Sequence, residues 1–162
     1  YDIPFMTQNI TALPSDDPIA TDAKTIDVNI RCKPDFAMAH IYFPFLRTEL
    51  GQYTLSKGLF KETDKLDSRD AMHSPLSFPD KTKRILERQR NMFSFFVLFP
   101  EFRPLLPIMR RLPLDSLYTK LFGAMASYCM AVIHRADNKG PRDERWGFFP
   151  YFLKKLREER RS

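Results

Sequence analysis

Residues 80–99, DKTKRILERQRNMFSFFVLF, decide the fold because they carry the clearest helical pattern in the chain. Uncharged side chains recur there at the spacing of one helix face, and they are Ile85, Leu86, Gln89, Met92, Phe93, Phe96 and Val97. Asp80 follows Pro79 and is in position to cap the first turn. The pattern predicts a helix that begins with basic turns and ends in an uncharged, Phe-rich half.

A second apolar helix is predicted for residues 115–134. Residues 121–133 carry no charge, and a longer stretch, 117–133, includes only Lys120, whose side chain can reach a membrane interface. A membrane-spanning helix needs about 20 apolar residues. The length therefore leaves three alternatives open, which are a buried helix, a short or tilted span over 117–133, and an interfacial helix.

The N-terminal region, residues 1–34, is predicted to be an extended arm with a lone strand. Three prolines within the first 18 residues oppose a long helix. Residues 25–31, TIDVNIR, alternate apolar and polar side chains, which is typical of a strand. An arm of this kind is expected to lie along a partner.

Residues 35–79 are predicted to form a short helical region over 35–50, which Pro44 kinks or ends, and then a polar loop. Residues 80–162 are predicted to form a basic-aromatic helical region in which the prolines of 100–113 exclude a regular helix. With 13 Pro and only 5 Gly, turns depend mostly on proline. The predicted fold class is mainly α and irregular, with several short helices, long Pro-rich extended segments and at most one or two β-strands.

Charge is distributed unevenly along the chain, whose net charge is +6. Residues 1–80 carry 8 Lys/Arg against 12 Asp/Glu, whereas residues 81–162 carry 18 against 8. Such asymmetry indicates that the second half faces an anionic partner. The candidates are phospholipid, nucleic acid and an acidic protein.

Basic and aromatic residues of the second half are the candidate site residues. Those predicted to contact anionic lipid or phosphate are Lys81, Lys83, Arg84, Arg88, Arg90, Arg110 and Arg111. Those predicted to lie at a membrane or an interface are Phe93, Phe96, Phe99, Phe102, Trp146 and Phe149. Two alternatives stay open, because the phenylalanines can instead form a protein core and the arginines can pair with carboxylates of a neighbouring subunit.

No motif of catalysis or of metal or cofactor binding is visible in the sequence. The three histidines do not lie at metal-ligand spacing with Cys32 or Cys129. The five glycines build no phosphate-binding loop. The sequence therefore predicts no catalytic residue, no metal site and no cofactor.

These features favour a non-catalytic structural or accessory subunit of a large mitochondrial inner-membrane complex, either ATP synthase or the respiratory chain. It would contact neighbouring subunits and an anionic phospholipid such as cardiolipin. The pI of 9.4, the first residue Tyr1 and the lack of a disulfide pattern fit a chain whose presequence has been removed. The alternatives are a mitochondrial ribosomal or other RNA-associated structural protein and a small soluble enzyme.

Overall fold

A computed structural model describes residues 4–61, 73–134 and 140–159. The described chain is mainly helical with one two-stranded sheet, which confirms the predicted fold class. The elements in chain order are β1 (Met6–Thr11), α1 (Pro18–Cys32), β2 (Phe36–Ile41), α2 (Glu49–Ser56), α3 (Asp80–Leu98), α4 (Leu106–Met109), α5 (Asp115–Ile133) and α6 (Phe148–Glu159). Pro100–Leu105 and Arg145–Gly147 are 3-10 helices.

The first three elements form a β-α-β unit. β1 and β2 are parallel, and their register runs from Met6 opposite Phe36 to Thr11 opposite Ile41. α1 is the crossover helix that two parallel strands require. Pro18 occupies its first turn, where a missing N–H costs nothing, and the N–H of Ala20 donates to the Asp17 side chain over 2.9 Å.

The prediction of an extended arm with a lone strand at 25–31 is wrong. Residues 6–11 form a strand of the chain's own sheet, and residues 25–31 belong to α1. In α1, Ile26 is fully buried, whereas Val28 is 45% exposed, so the two do not share a face as they would in a strand. Helical spacing decides burial here, and the apparent alternation was coincidental.

The helix predicted for 35–50 is also corrected. Residues 36–41 form β2, and α2 begins only at Glu49, after the Thr48 side chain accepts a hydrogen bond from the N–H of Gly51. Pro44 lies in the loop between them and kinks no helix. Residues 36–41 are a strand because β1 offers a parallel partner along their whole length, a contact distant in sequence.

The predicted helices at 80–99 and 115–134 are confirmed as α3 and α5. α3 is central, since it packs against α1, β2 and α5. The core holds Ile26, Phe36, Met92, Phe93, Phe96, Phe99, Leu121, Met125, Cys129 and Phe148. Asp80 lies in the first turn of α3 without capping it through a side-chain hydrogen bond, which corrects its predicted role.

The Pro-rich segment 100–113 is more regular than its prolines predict. It forms a 3-10 helix followed by the single turn of α4. Pro100 and Pro107 each lie in a first turn, where proline is tolerated.

Among the described residues, α5 is the one helix long and apolar enough to cross a membrane by length and composition. One face of α5, which includes Tyr118, Met125 and Cys129, is buried, and α5 packs against α3. The opposite side carries exposed residues such as Met130. In this structure α5 is therefore a half-buried helix of the core.

Candidate interaction surfaces

The phenylalanines of α3, and Phe99 directly after it, lie in the core. Phe93, Phe96 and Phe99 are at most 1% exposed, because α1, β2 and α5 enclose the helix. Their prediction as membrane-facing residues is corrected, and the alternative of a protein core describes them. The Phe99 ring lies 5.1 Å from that of Phe149 and 5.5 Å from that of Trp146.

The other three predicted aromatics lie at the margin of this core. Phe102 and Phe149 are partly buried and pack against it. Trp146 is 56% exposed, although its ring stacks on Phe149 with 5.8 Å between centroids. Of the six predicted aromatics, Trp146 therefore offers the most surface to a partner.

Arg88 and Arg90 are held inside the molecule. Arg88 donates to both carboxylate oxygens of Asp115, over 2.6 and 2.9 Å, and this bond lowers the pKa of that carboxyl. Arg90 donates to the carbonyl of Ala39 over 3.2 Å and stacks on the Phe122 ring at 3.9 Å, and burial lowers its pKa. These contacts stabilise the fold, which corrects the assignment of both residues as lipid contacts.

The remaining predicted cations lie nearer the surface. Lys81, Arg84 and Arg111 are exposed, and Lys83 is half-buried. Arg110 is partly buried and donates to the Gln89 side chain over 3.2 Å. The structure therefore leaves a surface role open to these five, and their contact with lipid phosphate stays a prediction.

The outer edge of β2 is covered by α3. The Ser94 hydroxyl donates to the carbonyl of Ala37 over 2.6 Å, and Arg90 donates to that of Ala39. These carbonyls point away from β1, because backbone groups of alternate residues face opposite edges of a strand. Side chains of α3 therefore hydrogen-bond to backbone carbonyls at this edge, where another strand would otherwise pair.

The outer edge of β1 is open. The carbonyl of Thr11 accepts a hydrogen bond from the N–H of Tyr42. The backbone N–H and C=O groups of the odd-numbered residues of β1 therefore point toward β2. The backbone groups of Met6, Gln8 and Ile10 consequently point away from β2. β1 has β2 as its only hydrogen-bonded neighbour among the strands of the described ranges.

The face of β1 that points away from α1 is exposed and mostly apolar. Met6 is 42% and Ile10 56% exposed, and the exposed Gln8 lies between them on the same face. The opposite face is polar but satisfied, because Asn29 of α1 donates to the Asn9 side chain over 2.7 Å and accepts from the Thr7 hydroxyl over 2.6 Å. β1 is therefore fixed from one side while its edge and second face stay uncovered.

A buried carboxyl fixes the turn after β1. Both oxygens of Asp22 accept from the N–H of Ala12, over 3.0 and 3.1 Å, and Ala12 has a left-handed φ of 57°. Burial raises the pKa of Asp22 from 3.8 to about 7, and the hydrogen bond from Ala12 opposes this rise. The Asp22 carboxyl therefore titrates near neutral pH, next to the turn that follows β1.

An open pocket of about 340 Å³ lies beside the turn that follows the carboxyl end of β1. It is lined by Ser15 and Asp16 of that turn and by Tyr53 and Lys57 at α2. The Lys57 ammonium lies 5.4 Å from the Tyr53 ring centre. Ligand crevices of open parallel sheets occur at this end of the strands, so the pocket is a candidate small-molecule site.

Cys129 lies in α5, and His134 lies directly after it. Burial raises the pKa of Cys129 to about 12, which keeps its thiol protonated. His134 bonds to the carbonyl of Met130 over 2.7 Å. Across residues 4–61, 73–134 and 140–159, no three His, Cys, Asp or Glu residues lie close enough to hold a metal ion.

Neither family models, curated proteins nor solved structures give a match to this chain. Its function therefore has to be inferred from the geometry. The strongest geometric feature, the open β1 edge, was missed at the sequence level because Met6 and Ile10 were assigned to an arm. The alternation of Met6, Gln8 and Ile10 with Thr7 and Asn9 was the signal that could have revealed it.

Proposed function

We propose that this chain is a non-catalytic structural component of a larger assembly, in which a β-strand of a partner polypeptide adds to the open edge of β1. The observation that carries this proposal is a two-stranded parallel sheet with one edge covered by α3 and the other edge bare. The neighbouring subunits expected from the sequence would supply the added strand.

Parallel sheets occur almost only in proteins that cover both faces of the sheet. Here the face that carries Met6 and Ile10 is left to solvent. A two-stranded sheet needs further strands or packing against a helix for stability, and α1 and α3 supply the helices here. A further strand on β1 would pair with the bare backbone groups of Met6, Gln8 and Ile10 and give the sheet a third strand.

The sequence of β1 also suits strand addition. Exposed strand edges are normally protected by charged residues or proline. β1, MTQNIT, contains neither. Its edge can therefore pair with an extended segment, and the exposed apolar side chains favour a partner strand whose own apolar residues fall on the same face.

We expect Ile10→Lys to release the chain from its assembly. A charge on this face would lie beside the apolar side chains of the added strand. Because Ile10 is 56% exposed, burial of its remaining surface contributes about 0.8–1.7 kcal/mol, so affinity should fall about four-fold or more. The measurement is gradient sedimentation of the tagged chain from extracts of its own cells. Gln8→Pro gives a second test, since it removes an edge-facing N–H that makes no bond within the sheet.

Val28→Lys is the matched control. Val28 is 45% exposed on α1, close to the 56% of Ile10, but it lies away from the β1 edge. The control should sediment like the unmodified chain. Equal sedimentation of Ile10→Lys, Gln8→Pro and the unmodified chain would show that nothing adds to this edge.

The mitochondrial inner membrane and the respiratory or ATP-synthase complex stay predictions from charge and composition. An RNA-associated protein and a small enzyme stay as the alternatives. The same sedimentation experiment separates the RNA-associated alternative from a protein assembly. Nuclease treatment would disperse an RNA-based particle and leave a protein-based one intact.

A further inference from the structure

A group of exposed aliphatic side chains surrounds the junction of α4 and α5. Between 40% and 61% of each is exposed, and the group, here called the aliphatic corner, consists of Leu105, Ile108, Leu112, Leu114 and Leu117. The first three follow one another at helical spacing and share one face of their helical stretch. Single exposed hydrophobics are normal, but a concentration of them marks a contact site.

The aliphatic corner is held in place by the rest of the fold. The Tyr118 hydroxyl donates to the carbonyl of Met109 over 2.7 Å. Arg88 donates to the carbonyl of Arg110 over 3.4 Å while it holds Asp115 at the start of α5. The corner is therefore a fixed projection rather than a loose loop.

Positive charge accompanies the corner. Arg110 and Arg111 lie within it, and Arg84 is close enough to Asp115 to influence its carboxyl. The carboxylate of Asp115 is already paired with Arg88. Neither Arg84 nor Arg111 forms an ion pair with a carboxylate of the described residues.

Arg110 indicates that an anion is favoured here. Its Nε is buried and has no hydrogen-bond partner among the described residues. Burial lowers its pKa, the positive charges of Arg111 and Arg103 lower it further, and the Asp17 carboxylate opposes this only in part. An anionic group at this position would relieve the repulsion among these arginines.

We propose that the aliphatic corner docks on an anionic phospholipid bilayer, with its aliphatic side chains at the boundary of headgroups and acyl chains and with the exposed Arg84 and Arg111 on lipid phosphates. An apolar surface with a basic margin fits such a boundary. The sequence suggested phenylalanines for the apolar part, whereas the structure provides leucines and isoleucine. This surface uses no residue of the β1 edge, so either contact can fail without the other.

The test is binding of the purified chain to phosphatidylcholine vesicles with and without cardiolipin. We expect binding that requires cardiolipin and that weakens as salt rises. The double variant Ile108→Ser/Leu112→Ser should bind about ten-fold more weakly, because the buried apolar surface is lost. Arg111→Glu should lose at least about five-fold, as expected for one basic residue at an anionic surface.

Leu50→Ser is the matched control, because Leu50 is 40% exposed, as Leu117 is, and lies on α2. It should bind like the unmodified chain. Circular dichroism checks the fold of each variant, and Arg111→Glu decides alone if the double variant does not fold. Absence of binding to cardiolipin vesicles, or unchanged binding by the folded variants, would overturn the proposal.

Discussion

Phe99→Ala is expected to lower the free energy of unfolding by about 3–5 kcal/mol, as truncation of a buried Phe typically does. Phe99 is fully buried, and its ring contacts those of Phe95, Phe148 and Phe149. The truncation would leave a cavity where α3 meets α6. Urea denaturation followed by circular dichroism measures the loss, which is a large part of the 5–15 kcal/mol typical of a domain.

Phe45→Ala provides the comparison, since Phe45 is 70% exposed. It should change the free energy of unfolding by no more than about 0.5 kcal/mol. If Phe99 instead faced a membrane, Phe99→Ala would leave stability in solution unchanged and weaken vesicle binding. That pair of results would contradict the core position of α3.

Asp22→Asn is expected to make stability less dependent on pH and to raise it above neutral pH. With a pKa of 3.8 unfolded and about 7 folded, Asp22 binds more protons in the folded state between these values. The contribution of Asp22 to the free energy of unfolding is therefore fully present below about pH 4 and is lost as the pH rises through about 7. A difference of about three pKa units corresponds to about 4 kcal/mol, which is an upper limit for the gain at pH 8.

The asparagine keeps an oxygen that can accept from the N–H of Ala12, so the turn after β1 should survive. Thermal or urea unfolding between pH 4 and 8 gives the measurement. Asp16→Asn is the control, because Asp16 is an exposed carboxyl in the same turn. Retention of the wild-type pH slope in Asp22→Asn would show that Asp22 does not titrate in this window.

The two long helices could be predicted because their local pattern and their environment agree. α5 buries side chains at helical spacing over its 19 residues. The second half of α3, residues 92–98, is buried at every position and is apolar except for Ser94. Whether these side chains contact protein or lipid could not be predicted, because the local sequence is the same for a phenylalanine packed on α6 and for one packed on lipid. Arg88 and Arg90 were assigned to lipid for the same reason, because their partners Asp115 and Ala39 are distant in sequence.

The β-α-β unit could not be predicted from the same local patterns. The buried positions of α1 include Asp22 and Asn29, and these polar residues conceal the helical period. Their burial is possible because each finds hydrogen bonds in β1 or in the turn after it. β2 contains Ala37, Ala39 and His40, which carry little strand preference, and it forms a strand through its pairing with β1.

Amide hydrogen exchange across β1 tests the open sheet edge most directly. In the isolated chain, the amides of Thr7, Asn9 and Thr11 should be protected because they face β2, whereas those of Gln8 and Ile10 should exchange fast. In the native assembly, we predict that Gln8 and Ile10 become protected as well. Fast exchange of these two amides in the assembly would contradict strand addition at β1.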